Sequence, residues 1–213
     1  MKQGWRIIRS DRLNIQPDLS DLLRGCESYR IRNRNYLSTD TRVMGAYEEG
    51  FKAILLKYQE FTGRTAIYEP FVFEPSKGDG YPPDFLVDTG GARVLFEFHN
   101  SCGQRYKLRL ARTREIYGTD FYFILVQSTL RNKGKRHVTI SPTVETPSGE
   151  RVQYADEMWK MPKISQPGAK TSGVSHETWI KFVSRAFDGL IRRMAYMHGT
   201  HIPQELIKVR RAS

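Results

Sequence analysis

Residues 81–100 read YPPDFLVDTGGARVLFEFHN: two short apolar runs on either side of a glycine turn, each carrying a carboxylate, at Asp84 and Glu97. The glycines of DTGG supply the positive φ that a tight hairpin turn needs, so PDFLV and ARVLFEFH read as a strand pair. Side chains alternate along a strand. In FEFH, Phe96 and Phe98 therefore point one way and Glu97 and His99 the other, while Asp84 shares its face with Leu86. Pairing through the turn brings Asp84 close to Glu97 and His99 on one face of the sheet. Two carboxylates held together on an apolar sheet repel, and one of them rises in pKa unless a cation neutralises them. Oxygen ligands alone favour a hard divalent ion, above all Mg2+.

The surrounding elements extend this pair into an α/β order. RVMGAYEEGFKAILLKYQEF (42–61) places Met44, Tyr47, Phe51, Ile54, Leu55, Tyr58 and Phe61 on one side of a helix, closed by Gly63 as a C-terminal cap. AIYEPFVFEP (66–75) reads as a strand, and SKGDGYP as a turn-rich loop that lacks the GK(S/T) of a phosphate-cradling loop. QRYKLRLARTREIYG (104–118) reads as a second helix and TDFYFILVQS (119–128) as a central strand covered on both faces. A helical crossover between the third and fourth strands sets them parallel in a mixed sheet. Beyond residue 130, RNKGKRHVTISPTVETPSGERVQYA alternates about a PSGE turn and predicts a hairpin. KMPKISQPGAKTSG reads as a loop. HETWIKFVSRAFDGLIRRMAYMHG (176–199) predicts an amphipathic helix whose stripe, Trp179 to Met197, docks on the core or on a second copy.

A third acid lies on the first helix. Glu48 sits beside the apolar stripe and faces the sheet, whereas Glu49 projects to solvent. Glu48 in GAYEEGF, Pro83-Asp84 opening PDFLV, and Glu97-Phe98-His99 together resemble the motif of the PD-(D/E)XK nucleases. Within that superfamily the closest likeness is to heteromeric-transposase endonuclease subunits, phage endonucleases and junction resolvases. The likeness spans about residues 43–128. It implies a restriction-endonuclease-like mixed sheet flanked by helices as a nuclease core (43–130), and leaves unexplained the basic N-terminal extension (1–42) and the basic C-terminal hairpin, amphipathic helix and tail (131–213).

The resemblance further implies a Mg2+-dependent DNA endonuclease, with Mn2+ as a substitute. Asp84, Glu97, Glu48 and the Phe98 carbonyl would hold the metal, and the catalytic set would be Glu48, Asp84, Glu97 and His99. His99 stands where the family carries lysine. A histidine titrates near neutrality and suits a general base, equally a supporting partner of Glu97, or a strand-end residue satisfied by its neighbours. Lys107 and Lys52 are alternative carriers of the cationic role.

The 213 residues carry a net charge of +11, unevenly placed. Residues 1–42 hold 9 Lys/Arg against 5 Asp/Glu, residues 43–130 hold 10 against 11, and residues 131–213 hold 15 against 7. Basic flanks around an acid-balanced middle fit a polyanion such as DNA. The candidate phosphate contacts are Arg30, Arg32 and Arg34, Lys133, Lys135 and Arg136, and on the second helix Lys107 with the stripe Arg105, Arg109 and Arg112. A solvated face accounts for that stripe equally well.

No apolar run approaches the roughly 20 residues of a membrane span, and the N-terminus lacks a signal-peptide core. The expectation is a cytoplasmic protein with Cys26 and Cys102 as reduced thiols. The histidines His137, His176, His198 and His201 offer no zinc ligand set. Two-strand cutting commonly needs two active sites, which makes a homodimer compatible; a further protein partner is not specified. The competing functional readings are a catalytically weakened DNA-binding or structural protein that keeps the fold, and an RNA-directed nuclease.

Overall fold

The computed structural model describes residues 30–31, 35–72, 81–118, 121–129, 136–165 and 173–198. Its elements in chain order are strands β1 (Arg30–Ile31) and β2 (Asn35–Tyr36), helix α1 (Ala46–Thr62), and strands β3 (Ala66–Tyr68), β4 (Phe71–Val72), β5 (Phe85–Asp88) and β6 (Arg93–His99). Helix α2 (Gln104–Tyr117) follows, then β7 (Tyr122–Thr129), β8 (His137–Ile140), β9 (Thr143–Glu145), β10 (Arg151–Gln153), β11 (Glu157–Pro162) and helix α3 (His176–His198).

Six strands form a mixed sheet to which the two-residue β2 adds an edge, giving the order β2-β3-β5-β6-β7-β11-β8. The hairpin is antiparallel with Phe85 opposite Phe96 and Asp88 opposite Arg93. Its turn closes through the Thr89 N–H to the Ala92 carbonyl and passes Gly90 at φ 79°. Helix α2 carries the chain over the sheet, so β6 and β7 run parallel, as the crossover requires.

The sheet is covered on both faces. Helices α1 and α3 bury one face through Phe51, Leu55, Phe85, Phe96, Trp159, Trp179 and Phe187. Helix α2 and the β9–β10 hairpin cover the other through Leu86, Leu95, Leu110, Phe123, Tyr154 and Met158. This explains why Phe85, Leu86 and Val87 are all fully buried although consecutive side chains point oppositely. Helices α1 and α3 meet closely at Gly50, where a Cβ would lie 2.9 Å from the Trp179 ring and 3.0 Å from His176 Nε2. The apolar stripe of α3 from Trp179 to Met194 thus docks on the chain's own core.

Several elements differ from the sequence expectation. AIYEPFVFEP is not one strand: Glu69 turns the backbone to φ 44°, and Pro70, which lacks an N–H, separates β3 from β4. The short β4 then leaves the main sheet and pairs with β1; residues 73–75 lie outside the described residues. Helix α1 starts after Gly45, so residues 42–45 are not helical and Met44 is 71% exposed. Phe61 and Met197 are exposed as well, because each lies at a helix end beyond the reach of the sheet.

Beyond residue 130, the PSGE hairpin forms as β9 and β10, but HVTI becomes a separate strand, β8. The stretch read as a loop from Lys160 onward begins instead in β11, which is buried except at half-buried Lys160 and lies between β7 and β8. No helix among the described residues is long and apolar enough to cross a membrane.

Candidate functional site

Asp84 stands one residue before β5, and the Phe85–Phe96 register sets it beside Glu97 on the face covered by α2. Its position is fixed by three bonds. Its N–H donates to the Phe96 carbonyl (3.1 Å), and its carbonyl accepts the Glu69 N–H (2.8 Å). Its Oδ2 accepts the Phe98 N–H at 2.6 Å. The carboxylate thus replaces a backbone partner where the β5–β6 ladder ends. Burial and the charge of Glu97 push its pKa up to about 9, against the partial relief of the Phe98 bond.

Glu97 lies on β6 and is only 9% exposed. The Tyr81 hydroxyl donates to Oε2 at 3.1 Å, and the Tyr106 hydroxyl, from the first turns of α2, donates to Oε1. Burial raises its pKa to about 7, while the two tyrosine bonds and the charge of Arg109 pull the other way. Glu48 approaches from α1. Its Oε2 accepts the Tyr68 hydroxyl at 2.9 Å and the Met44 N–H at 2.9 Å. Burial raises it above the usual carboxylate range. Its charge is felt at both Asp84 and Glu97.

Asp84 and Glu97 are therefore brought together, with Glu48 near enough to act on both by charge. Among the described residues no three His, Cys, Asp or Glu side chains are gathered closely enough to hold a metal ion by themselves. His99 shares the face of Glu97; its half-buried ring packs 4.4 Å from that of Tyr106. The Phe98 side chain points to the other face, against Phe51 and Trp179. Glu49 is exposed and pairs loosely with Lys52 at 3.7 Å.

The basic residues separate into distinct groups. Lys52 is buried with its ammonium on the Thr39 and Thr41 carbonyls (3.0 and 2.5 Å), so its charge is committed there. Lys107 lies 5.6 Å from the Tyr154 ring. Arg105 and Arg112 are exposed, but Arg109 does not join them on one free face. Its guanidinium lies over Tyr106 (4.7 Å) and Tyr81 (5.9 Å). Arg136 is exposed. For Arg30 only the backbone strand is described, and Arg32, Arg34, Lys133 and Lys135 lie outside the described residues. Cys102 is half-buried, and burial with the charge of Glu97 pushes its thiol up to about 12. It is therefore a protonated thiol at neutral pH and a poor nucleophile.

Tyr81, Tyr106 and the acid Glu69 were not anticipated from the sequence. Tyr81 had one available signal, a large aromatic three residues before an acid at a strand opening. Tyr106 had none beyond its place in an amphipathic helix.

A second buried acid gives the contrast that defines this site. Glu157 is fully buried and receives the Tyr122 hydroxyl (3.0 Å), the Trp159 indole N–H (2.7 Å) and the Arg193 guanidinium (2.5 Å). That is how a buried carboxylate is satisfied when its work is structural. Asp84 and Glu97 have no cation within ion-pair distance among the described residues, although they sit side by side. No protein-family model, curated protein or solved structure matches the chain.

Proposed function

We propose that this protein is a metal-dependent DNA endonuclease of the PD-(D/E)XK kind. The observation that carries the reading is half-buried Asp84 beside buried Glu97 with no cation within ion-pair distance among the described residues, and a third acid from α1 near enough to act on both by charge. The donor set fits Mg2+. All three groups are carboxylates held above their ordinary pKa by burial, with the charge of Glu97 adding to it at Asp84. Asp84 and Glu97 would hold the ion, with the Phe98 carbonyl and Glu48 completing the set. Bound there, the metal supplies charge neutralisation at the phosphate and lowers the pKa of a ligated water.

The chain's own groups do the positioning. The Phe98 N–H fixes Asp84, and Tyr81 and Tyr106 fix the two oxygens of Glu97. His99, on the same face, orients the attacking water or takes its proton. Arg105 and Arg112, exposed on the helix that carries Tyr106, would meet backbone phosphates. The family likeness supports this by analogy of motif and element order.

The test is cleavage of supercoiled plasmid, linear duplex, four-way-junction DNA and RNA with and without Mg2+ or Mn2+. Wild type is run beside Asp84→Ala, Glu97→Ala and His99→Ala. Metal-dependent cutting of DNA, lost in both acid variants, is the expected result; cutting that survives either acid substitution removes the reading.

A second reading rests on the capping of both Glu97 oxygens by tyrosines and on the absence of a ready three-ligand group among the described residues. In it the chain is a DNA-binding protein that keeps the fold with weakened catalysis. Salt-dependent DNA binding without cleavage under any metal would select it.

A further inference from the structure

We infer that Arg109 is the residue that receives the scissile phosphate, donating from its guanidinium to a non-bridging oxygen beside Asp84 and Glu97. The inference rests on the nuclease reading and assigns that site its fixed cation. The acids of the site repel a phosphodiester, and a positive side chain facing the bound anion adds to the neutralisation that a metal would supply. Lys52 is committed to the Thr39 and Thr41 carbonyls, and Lys107 is drawn to the Tyr154 ring.

Arg109 is placed differently. Its guanidinium packs on Tyr106 and Tyr81, the same two tyrosines whose hydroxyls hold Glu97. The cation and the carboxylate are thus referenced to one pair of rings. Its Nε is buried without a hydrogen-bond partner, and its charge acts on Glu97 without an ion pair among those of the described residues. A buried donor left unsatisfied calls for an explanation. Stacking on aromatic rings orients a guanidinium without consuming its N–H groups, and those groups form a planar fork suited to phosphate oxygens. The side chain is therefore charged and held against the two rings that also hold Glu97, and its outer donors remain for a ligand.

The experiment uses the full chain with a fluorescent DNA duplex. Binding is followed by anisotropy in EDTA over a range of KCl, and single-turnover cleavage is followed with Mg2+. The variants are Arg109→Gln, Arg109→Lys, and Lys181→Gln, whose exposed side chain on α3 pairs with Glu177 at 3.0 Å on the opposite layer. Arg109→Gln should lower the log–log salt slope by about 0.9, the value of one phosphate contact, and slow cleavage about 10²–10³-fold. Arg109→Lys should restore the slope but only part of the rate, and Lys181→Gln should change neither. A purely structural role for Arg109 would leave the slope of the folded variant unmoved.

Wild-type slope and rate in Arg109→Gln overturn the inference while leaving the nuclease reading intact. So does an equal loss of slope in Lys181→Gln. If wild type binds DNA but cuts nothing, and Arg109→Gln still lowers the slope, the nuclease reading fails and the phosphate contact stands. A wild type that binds no nucleic acid removes both. Should Arg109→Gln not fold, Arg109→Lys decides alone: a slower rate at unchanged slope supports the inference, and an unchanged rate overturns it.

Discussion

Replacing Asp84 by asparagine should make the metal-free protein more stable at neutral pH. The folded state holds this carboxyl near pKa 9, whereas in an unfolded chain it titrates near 3.9. Between those values the folded state binds more protons than the unfolded one, so stability falls as pH rises. At pH 7 the displacement is roughly three units, on the order of 4 kcal/mol. The loss begins near pH 4 and is complete above about pH 9. Asparagine keeps an oxygen for the Phe98 N–H and carries no proton to lose, so it removes this pH-dependent cost. Losses in packing reduce the net gain to about 1–4 kcal/mol.

The assay is urea unfolding in EDTA at pH 5, 7 and 8.5, repeated with Mg2+. Wild type should weaken steadily across the three pH values, and Asp84→Asn should give a flatter profile that lies above it at pH 8.5. Mg2+ should stabilise wild type most at pH 8.5, where the carboxylates are freest to ionise, and should do little for the variant. If Asp84→Asn is the less stable protein at pH 8.5 in EDTA, Asp84 is not a carboxyl raised by burial and like charge. The metal argument would then lose its footing.

Tyr106→Phe removes a hydrogen bond that favours ionised Glu97. It should shift the acidic limb of the cleavage–pH profile to higher pH, which a profile between pH 5 and 9 will read. Gly50→Ala forces a methyl against the Trp179 ring and should cost about 1–3 kcal/mol in chemical unfolding, through the α1–α3 contact and without altering metal affinity. Arg193→Met strips the guanidinium from fully buried Glu157. Because Arg193 is itself half-exposed, the expected loss is toward the lower end of the range for a broken buried pair, about 3 kcal/mol. An equilibrium denaturation curve matching wild type would show that Tyr122 and Trp159 suffice.

The β5–β6 hairpin and the parallel β6–α2–β7 unit were legible because their signals are local: strict alternation, a glycine turn, and an amphipathic crossover. The same parity put Glu97 and His99 on one face with Asp84, and helical angle turned Glu48 toward the sheet and Glu49 to solvent. The sequence concealed β11, since a strand buried on both faces has no alternation to show, and EMWKMP lacks the β-branched residues that mark strands. It concealed the break at Glu69–Pro70 for the opposite reason, because the apolar run continues through a backbone turn. Tyr81, Tyr106 and Arg109 acquire their roles from contacts across the sheet and α2. Helical spacing alone cannot say which arginine of Arg105, Arg109 and Arg112 turns inward.

The place of β11 in the sheet also governs how the protein can be made and cut. β7 lies between β6 and a strand that emerges only at residues 157–162, and the face opposite the site is closed by a helix that ends at residue 198. During synthesis the site-bearing hairpin is therefore complete long before its support. Until then β7 presents an open edge, and Phe96 and Phe187 have yet to meet. An open apolar edge recruits other chains, so a fragment ending near residue 130 would carry every acid of the site and yet aggregate rather than act.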